Sequence, residues 1–377
     1  MSVALPGIPG LALIAIILWD AVETVLVPRR IGRRVRLTRY FYIVSWQACR
    51  VIASRIRKPS RRETLLGFFG PSSLLLLLVC WAIGLVVGFA LLQIAARALA
   101  GLAPERWVTQ LYMSGETFFT LGFGDVTPAT GLGRLLSVVE SGMGFGFLGT
   151  VVGYLPTIYS AFSQREIEIS LLDAWAGSPP SAAEFLARQR DLGEHGMAER
   201  VLSGWERWAA QLLETHISYP LLAYYRSQHS NQSWLAALTV ILDSTAVLIA
   251  AGDTRVARQA ERTFAMARHA MVDITQIFVR RYQPNEHDRL PEVQLARLRA
   301  RLVARHVALE LGAGFEERLK RLRLQYEPYA LAIAAFLIFD LPPWVHSDER
   351  RDNWQGGPWD RQIAAEAAAE ESADDHF

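Results

Sequence analysis

The chain has 377 residues, of which 51% are hydrophobic and 20% charged, with a formal net charge of +2. That length allows two domains, and so even a charge balance gives no reason to expect a nucleic-acid partner. The two cysteines, Cys49 and Cys80, exclude a disulfide framework.

The hydrophobic residues crowd into the first 160 positions. The first apolar stretch, Ile8 to Val27, is close to the roughly 20 residues that a membrane-crossing helix needs. No basic side chain precedes it in Met1 to Pro6, and Asp20 and Glu23 stand where signal-peptide cleavage would be expected, so it reads as a retained helix. These two acids share a helix face. Deep in the membrane they would mark an ion or proton site, but their terminal position favours a pair neutralised by nearby arginines such as Arg29 and Arg30.

Residues 28–72 hold twelve arginines and lysines against one acid, Glu63. Within them, Tyr40 to Arg57 mixes Phe41, Ile43, Val44, Trp46, Val51 and Ile52 with basic residues, which predicts an amphipathic segment lying in the membrane interface. The arginines do not recur every third residue inside an apolar helix, so no voltage-sensing helix is expected.

The second span is Ser73 to Ala96 and the third runs from about Leu135 to Tyr159. Between them, Trp107 to Phe119 reads as a helix too short to cross. It leads into Thr120-Leu121-Gly122-Phe123-Gly124-Asp125. Glycines alternating with larger residues suit a backbone that points successive carbonyls one way, and a column of carbonyl oxygens can replace the water shell of a dehydrated cation. A phosphate-binding loop would need a strand before it and a polar helix start after it, without flanking spans. Positively charged loops stay inside. Residues 28–72 are therefore cytoplasmic, the loop region 98–133 is external, and the chain returns to the cytoplasm after residue 160. The short helix then re-enters from outside and aims its C-terminal, partly negative end at the cation path.

This hexapeptide resembles the potassium-channel signature Thr-x-Gly-Tyr/Phe-Gly-Asp, and the resemblance extends over residues 73–160. It implies an all-α membrane protein with an outer helix, a re-entrant pore helix and filter, and an inner helix. An N-terminal transmembrane helix and a mostly helical cytoplasmic domain are added here. Thr120 would give its carbonyl and its hydroxyl to the innermost ion site, and Leu121, Gly122 and Phe123 the next carbonyls. Potassium would thus be bound at Thr120, Leu121, Gly122 and Phe123, with Gly124 at the outer end and Asp125 beyond. The side chains of Leu121 and Phe123 would pack away from the axis.

Glu116 matches a glutamate that some of these channels pair behind the filter with the aspartate matching Asp125. Two acids so close would share a proton; the other reading is an acid facing the outer vestibule. Phe123 replaces the commoner tyrosine, and Tyr112 and Met113 stand where many relatives carry tryptophans, which bears on filter rigidity. On the inner helix, the family places a gating hinge near Gly144 or Gly146. The spacing of Gly142–Gly146 and Gly149–Gly153 also suits close helix packing, and Pro156 would kink the helix where a gate closes. One loop per chain supplies a quarter of a carbonyl cage, which implies a cyclic homotetramer.

Residues 161–377 carry −6, the difference between +2 overall and +8 for the first 160, and read as mostly helical. Helices are expected over 182–192, 197–213, 255–280, 291–311 and 315–325, and Ser181 with Glu184 fits a capping box. Trp234 to Ala251 is apolar enough to span, but its central Asp243 favours a buried core helix. Tyr329 to Leu341, closed by Pro342-Pro343, is too short to span and reads as a core or interfacial helix. There is no Gly-x-Gly-x-x-Gly after a strand and no cyclic-nucleotide-domain pattern. His195, His216, His229 and His269 form no metal-ligand cluster, and Glu286-His287-Asp288 reads as a solvated loop.

The expected layout is an N-terminal transmembrane helix (1–27), a basic linker (28–72), a pore domain (73–160), a helical cytoplasmic domain (161–365) and an acidic tail (366–377). The expected function is a potassium channel subunit of the cell membrane, multi-pass and without a cofactor, whose partners are potassium ions, the lipid bilayer and further copies of itself. A weakly selective monovalent cation channel is the alternative, and a membrane-anchored helical signalling or enzyme protein a minor one. No regulatory ligand is indicated.

Overall fold

The structure, a computed structural model, describes residues 6–25, 36–189, 197–228, 232–252, 256–282, 288–307, 309, 311–346, 352, 355, 357, 359–360 and 362–363. Arg29, Arg30, His195, His229, Glu286, His287 and the tail 366–377 lie outside them. Among the described residues there are helices and no strand. They divide into two compact units, Met1–Phe162 with Ile217–Arg226, and Ser163–His216 with Ser227–Phe377.

The first unit begins with α1 (Gly7–Val25), α2 (Leu37–Arg55) and α3 (Pro59–Leu99). Helix α3 begins well before the apolar run at Ser73: Pro59 occupies its first turn, where a missing N–H costs nothing, and the helix continues through Pro71. The last part of the expected linker is therefore the N-terminal end of the outer helix. Helix α1 packs on α3 through a groove of small residues. A methyl group at Gly84 would lie 2.3 Å from Ile17 Cδ1, and one at Gly88 would lie 2.6 Å from Ile14 Cγ1. Small residues four apart let transmembrane helices approach closely.

The acids of α1 hold this arrangement. Asp20 accepts from Trp81 Nε1 of α3 at 3.1 Å and from the Thr38 hydroxyl at 2.5 Å. It also accepts from the Thr38 backbone N–H at 3.1 Å, which satisfies one of the orphan donors at the start of α2. Glu23 accepts from Trp19 Nε1 at 2.7 Å and pairs with Arg36 at 3.4 Å. The pair is thus a fastening between α1, α2 and α3, neutralised by Arg36. Helix α2 buries Trp46, Cys49 and Ala53 and exposes Tyr40, Ile43, Val44, Val51 and Ile52 along its outer face.

After α4 (Trp107–Phe118) and α5 (Gly131–Ala176), α6 (Ala182–Arg188) and α7 (Met197–Ser218), the chain returns to the first unit through a 3-10 turn at Pro220–Tyr224. That return departs from the expectation that 161–365 forms one separate domain. Its cause is aromatic and apolar: Tyr224 stacks on Tyr42 with centroids 5.6 Å apart and also meets Trp46 and Phe69. Tyr219 meets Tyr154 of α5, and Leu221 and Leu222 enter the core that contains Leu74, Leu77 and Trp81. Arg226 pairs with Glu63 at 3.2 Å.

The second unit is built around α8 (Trp234–Ala251), with α9 (Ala257–Phe278), α10 (Glu292–Ala304), α11 (Phe315–Arg323) and α12 (Glu327–Leu337). Helix α8 is long and apolar enough to cross a membrane, yet every residue but Ile249 is buried within its unit, as a core helix requires. Asp243 at its centre is ion-paired with Arg289 at 2.8 Å and accepts from the Tyr326 hydroxyl at 2.5 Å. Helix α10 ends at Ala304, short of the expected 311, where His306 takes a left-handed conformation. The Ser181 cap accepts from Glu184 N at 3.3 Å, but the Glu184 carboxylate turns to Arg301 at 2.6 Å instead of closing a capping box.

Candidate ion pathway

Helix α4 is the short re-entrant helix, one residue shorter than expected. Its C-terminus closes with the two reverse bonds of a Schellman motif. Leu121 N donates to Glu116 O at 2.9 Å, and Thr120 N donates to Thr117 O at 3.1 Å. Thr120 has φ +56°, a left-handed conformation that a β-branched residue seldom adopts. Gly122 follows at φ +68° and Gly124 at φ +77°. Left-handed residues therefore alternate along the hexapeptide. The peptide plane gives each bond a second consequence, because N–H and the preceding C=O point in opposite directions. With Leu121 N–H directed at the pore helix, the Thr120 carbonyl points away from it.

The outer end is held in the same way. Gly124 N donates to Glu116 Oε1 at 2.9 Å, so the Phe123 carbonyl is turned away from the pore helix. Tyr112 OH donates to Asp125 Oδ1 at 3.2 Å. Each of the two acids thus has its own partner, Glu116 an amide and Asp125 a phenol, where the sequence had suggested one shared proton. Tyr112 thus supplies a hydroxyl that Phe123 lacks. The side chains of Leu121 and Phe123 are exposed.

The inner helix α5 runs unbroken through Gly144, Gly146 and Pro156. Its glycines are not equivalent. A Cβ at Gly144 would lie 1.9 Å from the Phe118 carbonyl oxygen, so this glycine is what lets α5 meet the end of the pore helix. Positions Gly142, Gly146, Gly149 and Gly153 have no atom within 4 Å of such a Cβ. Thr150 and Thr157 donate to the carbonyls of Gly146 and Gly153 at 2.9 and 3.0 Å. Side chains that bond back to the preceding turn favour a bend.

Behind the pore helix lies a residue that the sequence reading passed over. Glu140 of α5 is fully buried and hydrogen-bonded with Ser114 of α4, which in turn lies 2.7 Å from the Val86 carbonyl of α3. The signal was present: Glu140 is the one acid between Asp125 and Glu166, and acids at membrane depth are rare and functional. Gln93 of α3 adds a second tie by donating to the Gly133 carbonyl at 2.9 Å and to Ser137 at 3.1 Å. Among the described residues no group of three or more His, Cys, Asp or Glu is placed to hold a metal ion.

Residues 75–160 match a protein family described as "Ion channel". The chain is also 27% identical over 223 residues to the uncharacterized membrane protein YdjJ of Bacillus subtilis (strain 168), covering 54% of this chain and 59% of that protein. No solved structure matches. The chain is a membrane protein, and its residues 75–160, with a re-entrant helix, a loop of alternating left-handed residues and a bordering inner helix, match the ion channel family, a match that supports a pore module of the potassium-channel superfamily.

Proposed function

We propose that this chain is a potassium-selective channel subunit that conducts potassium ions passively through a backbone-carbonyl filter at Thr120-Leu121-Gly122-Phe123-Gly124-Asp125. The observation that carries this reading is the alternation of left-handed residues at Thr120, Gly122 and Gly124 directly after a re-entrant helix. Such a backbone presents fixed dipoles of one sign, which coordinate a large monovalent cation without a formal charge that would hold it too tightly. Four loops are needed to close the cage, so the working unit is a cyclic homotetramer, with neighbouring subunits covering Leu121 and Phe123. The excess of arginine and lysine in residues 28–72 supports a multi-pass orientation in the cell membrane with that segment and the C-terminal unit in the cytoplasm. Gly146 and Pro156, in open surroundings on α5, are the positions assigned to gating bends, whereas Gly144 serves packing.

A weakly selective cation pore is the second reading, favoured by Phe123, which has no hydroxyl with which to brace the filter from its own side chain. The reversal potential of purified protein in a planar bilayer, with potassium on one side and sodium on the other, separates the two. A value near the potassium equilibrium potential, abolished with the current by Gly122→Ala, supports the selective channel. A value near zero supports the weakly selective pore, and current that survives in Gly122→Ala removes the filter assignment.

A further inference from the structure

Glu140 has no arginine or lysine partner among the described residues; its Oε1 meets Ser114 Oγ, and its Oε2 is buried without a hydrogen bond. Ser114 Oγ also lies 2.7 Å from the Val86 carbonyl oxygen. A serine hydroxyl carries one proton, and neither a carbonyl nor a carboxylate carries any. With Glu140 ionised, that single proton would face two acceptors, and one contact would set two oxygens together with no proton between them. With Glu140 protonated, every contact is satisfied. The acid O–H donates to Ser114 Oγ, and the Ser114 O–H donates to Val86 O. The unpartnered Oε2 fits the same state, as the carbonyl oxygen of a neutral acid instead of half of a buried, unpaired charge.

We infer that Glu140 is carried as a neutral carboxylic acid, and that its proton completes a chain from Glu140 through Ser114 to Val86 which fixes the pore helix between the inner and outer helices. Ser114 stands two residues before Glu116 and six before Thr120. The chain therefore sets the height and rotation of the helix that carries the filter and the Gly124 tether. Glu140 is a positioning residue: it acts on the ion path through its hydrogen bond with Ser114.

The other ionisable groups on these elements are engaged elsewhere or lie far along their helices. On α4, Glu116 serves Gly124 and Tyr112 serves Asp125. On α3, Arg97 pairs with Glu105 at 3.1 Å, and Cys80 is exposed. On α5, Arg134 is six residues away, about 9 Å along the axis.

The positioning role rests on the channel reading, but the protonation state does not, and two measurements keep them apart. Infrared spectroscopy of the full chain in liposomes reads the proton without any current. The expected result is a carboxylic-acid carbonyl band at neutral pH that is absent from Glu140→Gln and shifted in Ser114→Ala. Should a variant fail to assemble, wild-type protein still shows the acid band at neutral pH and loses it on alkaline titration. A spectrum with carboxylate bands alone at neutral pH overturns the inference.

Potassium flux then reads the positioning. Glu140→Gln keeps a donor toward Ser114 and cannot ionise, so it retains flux at neutral pH and holds it as pH rises, while wild-type flux falls as Glu140 loses its proton. Glu140→Leu, of similar size but with no donor, loses flux at every pH. Loss of flux at neutral pH in an assembled Glu140→Gln tetramer overturns the positioning role.

Discussion

Glu116 Oε1 accepts a hydrogen bond from the Gly124 backbone N–H at 2.9 Å, which makes one side chain of the pore helix responsible for the direction of the Phe123 carbonyl. The N–H of Gly124 and the C=O of Phe123 share a rigid plane. Holding the N–H toward the pore helix therefore holds the oxygen toward the other side, where the proposed ion path runs. Phe123 has no hydroxyl of its own, so this tether and the Tyr112–Asp125 bond carry the bracing at the outer end.

Removal of the Glu116 acceptor should free that plane. A hydrogen bond to a charged group contributes about 1.5–3 kcal/mol, enough to let the Phe123 carbonyl sample other directions. In Glu116→Ala the potassium-over-sodium reversal potential should move toward zero while the protein still assembles. Glu116→Gln keeps a carbonyl acceptor and should stay close to wild type. Unchanged selectivity in Glu116→Ala would show that the tether does not orient the filter.

The inner-helix glycines separate packing from bending. Gly144→Ala places a methyl group 1.9 Å from the Phe118 carbonyl, and neither backbone can yield without moving a whole helix. That variant should lose stable tetramer or conduct nothing. Gly146→Ala meets no atom within 4 Å and adds helix propensity of up to about 1 kcal/mol. It should assemble normally and change open probability alone, as read in single-channel records. Comparable assembly defects in both would remove the distinction.

The pore module was legible because local signals coincide there. Trp107 opens α4 as expected, and the glycines of the hexapeptide fall where φ is positive. Helix α3 extends well before the apolar span Ser73 to Ala96, because hydropathy marks the span and not the helix, whose start is signalled by Pro59 after a basic run. Asp243 marked α8 as a core helix, but its partners Arg289 and Tyr326 lie 46 and 83 residues further on, a pairing that no local pattern encodes. The same limit hid the return of Ile217–Arg226 to the first unit, since Tyr224 and Tyr225 are ordinary loop residues until Tyr42 and Gly70 are placed beside them. Glu140 differs from these, because its sequence context alone was enough to single it out.

The buried pair in the second unit gives a stability test. Asp243 is fully buried and Arg289 nearly so, and the Tyr326 hydroxyl, held well above its ordinary pKa by burial and by Asp243, stays a donor throughout the accessible pH range. Asp243→Ala leaves Arg289 with the buried Glu327 at 3.4 Å, the Pro342 carbonyl at 2.7 Å and the face of the Trp344 ring. Breaking one half of a buried ion pair costs about 3–5 kcal/mol, and chemical unfolding of the purified protein should show a loss of that size. Tyr326→Phe removes one bond to a charged acceptor and should cost about 1.5–3 kcal/mol. A near-neutral Asp243→Ala would mean that Glu327 takes over the charge.

His216 gives the second unit an acid limit. It is fully buried, its Nδ1–H donates to the Leu212 carbonyl at 2.8 Å, and its Nε2 accepts from Arg165 at 3.4 Å. Those partners fix the neutral tautomer. Burial, with the Arg165 charge beside it, lowers the pKa to about 3 from an ordinary 6.5. The folded value lies below the unfolded one, so the unfolded chain binds the extra proton and folding loses stability as pH falls from about 6.5 toward 3. Each pH unit in that window corresponds to about 1.4 kcal/mol for the group, so the integrated loss is a few kcal/mol. Unfolding free energies measured from pH 7 to 4 should fall with that slope in the wild type. In His216→Gln, which keeps a donor for Leu212 and an acceptor for Arg165 without titrating, the slope should flatten. Equal slopes in the two proteins would place the acid sensitivity on other residues.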